Sequence, residues 1–144
     1  MKNGDQDWAA SFPIREEVED FAGRKRMFVI TANEGPHGFT LRAAEEGRNY
    51  EGYGFAGFSE TSPFAALGPL RAKMYRALAT RHVTGKPGGY QMLHDKLSGR
   101  ITTDDDGEVA LIVDGVPVSL ENLASILKTH EGWGIDLEIR DPMD

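Results

Sequence analysis

Between Met27 and Phe58, stretches of strand-forming residues are separated only by short turn clusters, and this spacing dictates an antiparallel meander. Met27 to Ala32 is dominated by β-branched and aromatic side chains, with Phe28, Val29, Ile30 and Thr31 in a row. Glu34-Gly35-Pro36-His37-Gly38 has the composition of a turn. Phe39, Leu41 and Ala43 then alternate with Thr40 and Arg42, the period of a strand with one wet face. Glu46-Gly47-Arg48-Asn49 turns the chain again, and the aromatic, glycine-rich stretch from Tyr50 to Phe58 reads as a third strand. Hairpin connections of this kind join antiparallel neighbours, whereas parallel ones need a long crossover.

Around this meander the pattern predicts helices. Ile14, Val18 and Phe21 share one helical face behind Pro13, among Glu16, Glu17, Glu19 and Asp20, with Gly23 as the stop. Phe64, Leu67, Leu70, Met74 and Leu78 form a helical stripe from Ser62-Pro63 to about His82. Pro69 interrupts it, predicting either a turn followed by a helix from Pro69 or a kink there. Thr84 to Gly89 is a loop, and residues 90–97 are ambiguous, with a brief helical turn as one reading.

Gly99 to Thr103 and Glu108 to Asp114 read as strands joined at Asp105-Asp106-Gly107. Val109 to Val113 is apolar on both faces, as a central strand would be. Asp114-Gly115 is a tight turn, and Pro117 limits the short return strand. Ser119 is placed to cap a helix whose buried stripe would be Leu120, Leu123, Ile126 and Leu127, stapled by Val118 against Leu123. Gly132 stops that helix, and Ile135, Leu137 and Ile139 alternate with Asp136, Glu138 and Arg140 as a closing strand. The expected fold is α+β, a mainly antiparallel sheet with helices packed on one face, in the order α-βββ-α-ββ-α-β. Residues 1–11 are expected to be a flexible lead, and residues 12–144 a single domain.

Composition narrows the function classes. The chain has no cysteine, which removes disulfides, thiolate metal sites and cysteine nucleophiles together. It has no apolar run near the about 20 residues that span a bilayer, and Met1 is followed by polar Lys2-Asn3-Gly4-Asp5. A cytoplasmic location and no membrane partner are the expectation. The net charge of −7 disfavours nucleic acid.

Motifs that suggest chemistry have simpler readings. Gly52-Tyr53-Gly54-Phe55-Ala56-Gly57 spells G-x-G-x-x-G, but inside a probable strand with no helix opening directly after it, so a dinucleotide site is not expected. Asp104-Asp105-Asp106 lacks the alternating ligand frame of a calcium loop. Gly85-Lys86 leads into no helix and lacks the preceding glycine of a phosphate loop. Arg24-Lys25-Arg26 and the helical set Arg71, Lys73, Arg76 and Arg81 read as solvated charge. His37, His82, His94 and His130 are scattered without metal-ligand spacing. No cofactor and no metal are expected.

The C-terminal stretch, through Asp114-Gly115, Ser119, Leu123, Leu127, Thr129, Glu131-Gly132-Trp133 and Leu137-Glu138-Ile139, resembles an uncharacterised bacterial family, a domain of unknown function. The middle helix from Pro63-Phe64 to Arg81-His82 looks similar to the same family, so the likeness covers about the last 90 residues. Some relatives carry a cysteine-rich N-terminal segment, and its metal role does not carry over to a cysteine-free chain. The resemblance implies no activity and no functional residues. A fold-level analogy to HicB-like antitoxins rests on the strands and helix of the first half.

These readings favour a non-enzymatic intracellular binding or accessory module working through protein contacts, with a protein partner or a homodimer. Trp133 and the Tyr53/Phe55 strand are the candidate anchors, with Glu131 and His130 beside them. An antitoxin-like regulator binding a basic partner or nucleic acid is one alternative. A small hydrolase or transferase built on His130 and Glu131 is another, provided a third polar group converges on them.

Overall fold

The structure, a computed structural model, describes residues 7–49 and 51–143. Its contacts group into two compact units. The first comprises the described residues within Met1–Gly47, Gly54–Ala79 and Arg140–Asp144, and the second those within Arg48–Tyr53 and Thr80–Ile139.

The first unit is a four-stranded antiparallel meander in the order β1-β2-β3-β4, with strands β1 (Ile14–Glu19), β2 (Lys25–Gly35), β3 (Gly38–Glu45) and β4 (Gly54–Ser59). Helix α1 (Pro63–Ala79) packs against β1, β3 and β4. Phe28, Ile30, Leu41, Leu70, Met74 and Leu78 are fully buried. Of the expected lead, Trp8–Ser11 form a 3-10 helix whose Trp8 ring stands edge-on to Phe39 at 5.6 Å. Met1 to Gln6 lie outside the described residues, as does Tyr50, the expected start of the third meander strand.

The expected first helix is instead β1. Six residues carrying Ile14 and Val18 fit a period of two as well as one of 3.6. The alternation is half-buried Ile14, half-buried Glu16 and buried Val18 against exposed Arg15, Glu17 and Glu19. Glu16 tolerates the inner face because Arg71 Nε and Tyr75 Oη donate to its carboxylate at 2.9 and 2.7 Å. Asp20 is not a helix residue but the core of the β1–β2 connection. Its Oδ1 accepts from the Ala22 and Arg24 amides, while Arg26 Nε donates to its Oδ2.

Helix α1 runs through Pro69. The missing donor would have served the Ala65 carbonyl, and both residues are exposed, so water can satisfy that oxygen. The buried stripe of Ala66, Leu67, Leu70, Met74 and Leu78 continues on the other side.

The second unit has two small antiparallel sheets. Strand β5 (Val83–Thr84) pairs with β6 (Gln91–Met92), and β7 (Arg100–Thr103), β8 (Val109–Val113) and β9 (Val116–Ser119) lie in the order β7-β8-β9. β8 is central, as its apolar sequence requires. The ambiguous residues 90–97 contain β6 rather than a helical turn, because Val83 and Thr84 offer Gln91 and Met92 an extended partner. Val83, Val113 and Val118 form the core, with Tyr90, Leu97 and Leu111 packed on it.

Helix α2 (Leu120–Lys128) packs on β8 and β9. Its expected four-leucine-type stripe is only partly buried: Ile126 is inside, Leu123 is half-buried, and Leu120 and Leu127 are 52% and 49% exposed. The closing strand expected from Ile135 to Arg140 is absent; those residues take no regular structure. The fold is α+β, with antiparallel sheets of four, two and three strands and two α-helices among the described residues. Its order differs from the expectation at both ends, where β1 replaces the first helix and the last strand is unformed, and between the helices, where β5 and β6 are added and the short return strand counts as β9.

Candidate functional site

The expected anchors at the C-terminal end depend on how α2 is held. Ser119 caps it, its hydroxyl accepting from the Asn122 amide at 3.0 Å. Asn122 is buried and makes a reciprocal pair with Tyr90: its Oδ1 accepts from the Tyr90 amide at 2.8 Å, and its Nδ2 donates to the Tyr90 carbonyl at 2.9 Å. At the far end, Thr129 Oγ1 donates to the Ile126 carbonyl, which also lies 2.9 Å from His130 Nδ1. The Trp133 amide closes a turn on the His130 carbonyl. Gly132, at φ +94°, occupies the left-handed region that favours glycine.

Beyond this turn the chain presents apolar side chains to water. Trp133 is 70% exposed and stands edge-on to the His130 ring at 5.1 Å. Ile135, Leu137 and Ile139 are 71%, 84% and 73% exposed. With Leu120 and Leu127 they give the second unit an unusual share of uncovered aliphatic surface. The sequence places Leu120 and Leu127 in a buried stripe and Ile135, Leu137 and Ile139 in a closing strand; their exposure is the feature that sequence reasoning missed.

Two family matches divide the chain. Residues 82–144 match a domain of unknown function, DUF7713. Residues 10–79 match a second domain of unknown function, DUF7686. Both segments therefore match uncharacterised domains, in line with the resemblance of the C-terminal stretch. The middle helix, expected to share the family of that stretch, falls in the other match. No curated protein and no solved structure matches the chain. The DUF7713 match takes in α2, the turn at Gly132 and the exposed segment after it.

The remaining candidates are dispersed. Tyr53 is buried in the second unit, and a Cβ added at Gly115 would fall 2.6 Å from its ring. Phe55 is half-buried on β4 of the first unit, 6.1 Å from the Phe28 ring. They are packing residues of different units. Glu131 is exposed, and no side-chain hydrogen bond joins it to His130 among the described residues.

One polar constellation has no local signature in sequence. Asp114, buried at the β8–β9 turn, accepts from the His82 and Val83 amides at 2.7 and 2.9 Å through Oδ2. Its Oδ1 lies 2.8 Å from His82 Nδ1. This carboxylate ties the hairpin to β5. In the first unit Arg26 is buried between Asp20 and Glu45, at 2.8 and 2.9 Å. Burial acts to raise the Asp20 pKa, but the hydrogen bonds from Arg26, Arg24 and Ala22 outweigh it and hold the carboxyl below its usual range. The Arg24-Lys25-Arg26 triplet is thus tied up in ion pairs with Asp20, Glu17 and Glu45.

The G-x-G-x-x-G letters are structural. Gly52, at φ +87°, offers its carbonyl to Arg100, Gly54 and Gly57 lie in β4, and Gly57 faces Ala66 and Leu70 of α1. Asp104 Oδ1 accepts from the Asp106 and Glu108 amides, which makes the aspartate run a hairpin turn. Among the described residues, no cluster of three or more His, Asp or Glu side chains could hold a metal ion, and no helix is long and apolar enough to cross a membrane.

Proposed function

We propose that this chain is a non-enzymatic binding or accessory module that works through protein–protein contacts made by the C-terminal surface of its second unit. The observation that carries this reading is the exposure of Trp133, Ile135, Leu137 and Ile139 in one short segment. Covering one aliphatic side chain of this size contributes about 1.5–3 kcal/mol, so a chain that leaves four large apolar groups uncovered has a strong incentive to be covered. Trp133 is the anchor: it is rigid, wide and already oriented by the His130 ring. His130 and Glu131 form the polar rim. Tyr53 and Phe55 support the two units from within and take no part in the contact.

The test is native mass spectrometry of the full chain after gentle purification. A retained protein mass is expected, either a second copy or another protein, and Leu137→Asp removes it. A lone chain under these conditions, with Leu137→Asp behaving identically, refutes the reading.

A further inference from the structure

We infer that the occupant of this surface is a second copy of the chain: Ile135–Glu138 pairs antiparallel along β7 of its partner, and the partner's segment returns the same contact. This rests on the binding-module reading above and names its partner. Three observations carry it.

The first is supply and demand within one unit. β7 ends its sheet, with β8 on one side and no strand on the other among the described residues. The segment from Ile135 to Arg140 has the alternation of a strand yet joins no ladder among the described residues. An edge strand and a strand-forming segment outside any ladder are the two halves of a strand-addition contact. The DUF7713 match spans both halves.

The second is side-chain complementarity. Placing Leu137 opposite Ile101 sets Ile135 opposite Thr103, Asp136 opposite Thr102 and Glu138 opposite Arg100. Ile101 already pairs with Leu111, and Leu111 with Val118. Leu137 extends that line into an apolar row across four strands. Ile101 is 56% exposed, and Leu137 opposite it covers it. A shift of one residue would put Asp136 or Glu138 against Ile101, which disfavours the registers that turn the segment's other face inward.

The third is charge. On the opposite face Glu138 comes to Arg100, a half-buried guanidinium that donates to the Gly52 carbonyl, so opposite charges face each other across the pair. Exchange of the two segments closes the contact by twofold symmetry, with no free edge left on β7.

The absence of cysteine permits a clean test. Residues directly opposite across an antiparallel pair have Cα atoms within the range that disulfides bridge. Under mild oxidation, full-length Ile101→Cys mixed with full-length Leu137→Cys is expected to give a mixed disulfide dimer, well above either variant alone. The double variant gives a covalent dimer. Light scattering of the unmodified chain reads two copies, and Leu137→Asp reads one copy while the circular dichroism is unchanged. A double variant that closes an intramolecular disulfide overturns the inference, because the segment then pairs with its own sheet. An unmodified chain that is monomeric across the micromolar range also overturns it. If that monomer nevertheless retains a different protein that Leu137→Asp releases, the second-copy inference fails and the binding-module reading stands.

Discussion

Replacing Asp114 by alanine removes three hydrogen bonds at once and tests how the second unit is held together. The Val83 amide is buried, and leaving it without an acceptor costs about 2 kcal/mol. The His82 amide is half-buried and can reach water, so its loss is set at about 1 kcal/mol. Asp114 also has φ +55°, where alanine is less at ease than aspartate by about 1 kcal/mol. The sum is about 4 kcal/mol, a large share of the stability of a small unit. Asp114→Asn keeps an acceptor for both amides and tolerates the left-handed backbone, so it loses only about 1 kcal/mol for the weaker, uncharged bonds. Urea unfolding followed by circular dichroism gives the totals. Hydrogen exchange of peptides covering residues 80–84 and 109–119 locates the loss at β5 and the β8–β9 hairpin. An alanine variant within 1 kcal/mol of the parent, on the same scale, refutes the reasoning. So does an asparagine variant as unstable as the alanine one, since charge rather than acceptor geometry would then be at work.

Ser119→Ala removes the cap on α2 and is expected to lower stability by about 1 kcal/mol, read as a shift in urea midpoint without a change in slope. Pro69→Ala restores a donor to the Ala65 carbonyl on the exposed side of α1 and is expected to stabilise by about 2 kcal/mol; destabilisation would mean that proline is required there. The folded-state pKa of Asp20 is depressed, so its contribution is fully present above the unfolded carboxyl value of about 4 and is lost as pH falls through the folded value. Acid titration of stability should therefore decline below about pH 4, and Asp20→Asn should flatten that decline while lowering the neutral plateau. An unaltered acid limb in Asp20→Asn would contradict the role of the Asp20–Arg26 pair.

What sequence reveals here is local. The turns at Asp105-Asp106-Gly107 and Asp114-Gly115, the cap at Ser119 and the central apolar strand β8 are all written in adjacent residues, and each is where the pattern places it. β1 was ambiguous because Ile14 and Val18 satisfy both periods over six residues, and the decision came from β2, which offers Ile30, Phe28 and Arg26 as cross-strand partners. The segment after Gly132 illustrates the reverse. Alternation states what a segment would do beside an edge and is silent on where the edge is. Neighbouring apolar residues on α2 likewise show no local difference between buried Ile126 and exposed Leu127. Of the proposed site, Trp133 is legible as a contact anchor, but the exposure of Leu120, Leu127, Ile135, Leu137 and Ile139 is not. The Asp114–His82 tie joins positions far apart in the chain and leaves no spacing signal.

The two Asp-Gly steps of this chain should age differently. Aspartate before glycine is prone to cyclise, when its side-chain carboxyl carbon is attacked by the following amide nitrogen, and the ring reopens to a displaced backbone. At Asp114-Gly115 the carboxylate is pinned by the His82 and Val83 amides and cannot swing onto its own backbone. At Asp106-Gly107 both residues are exposed at a hairpin tip. Of the two steps, the lesion on long storage belongs at Asp106, and the bond network that secures β5 to the β8–β9 hairpin also protects the Asp114-Gly115 connection from its own chemistry.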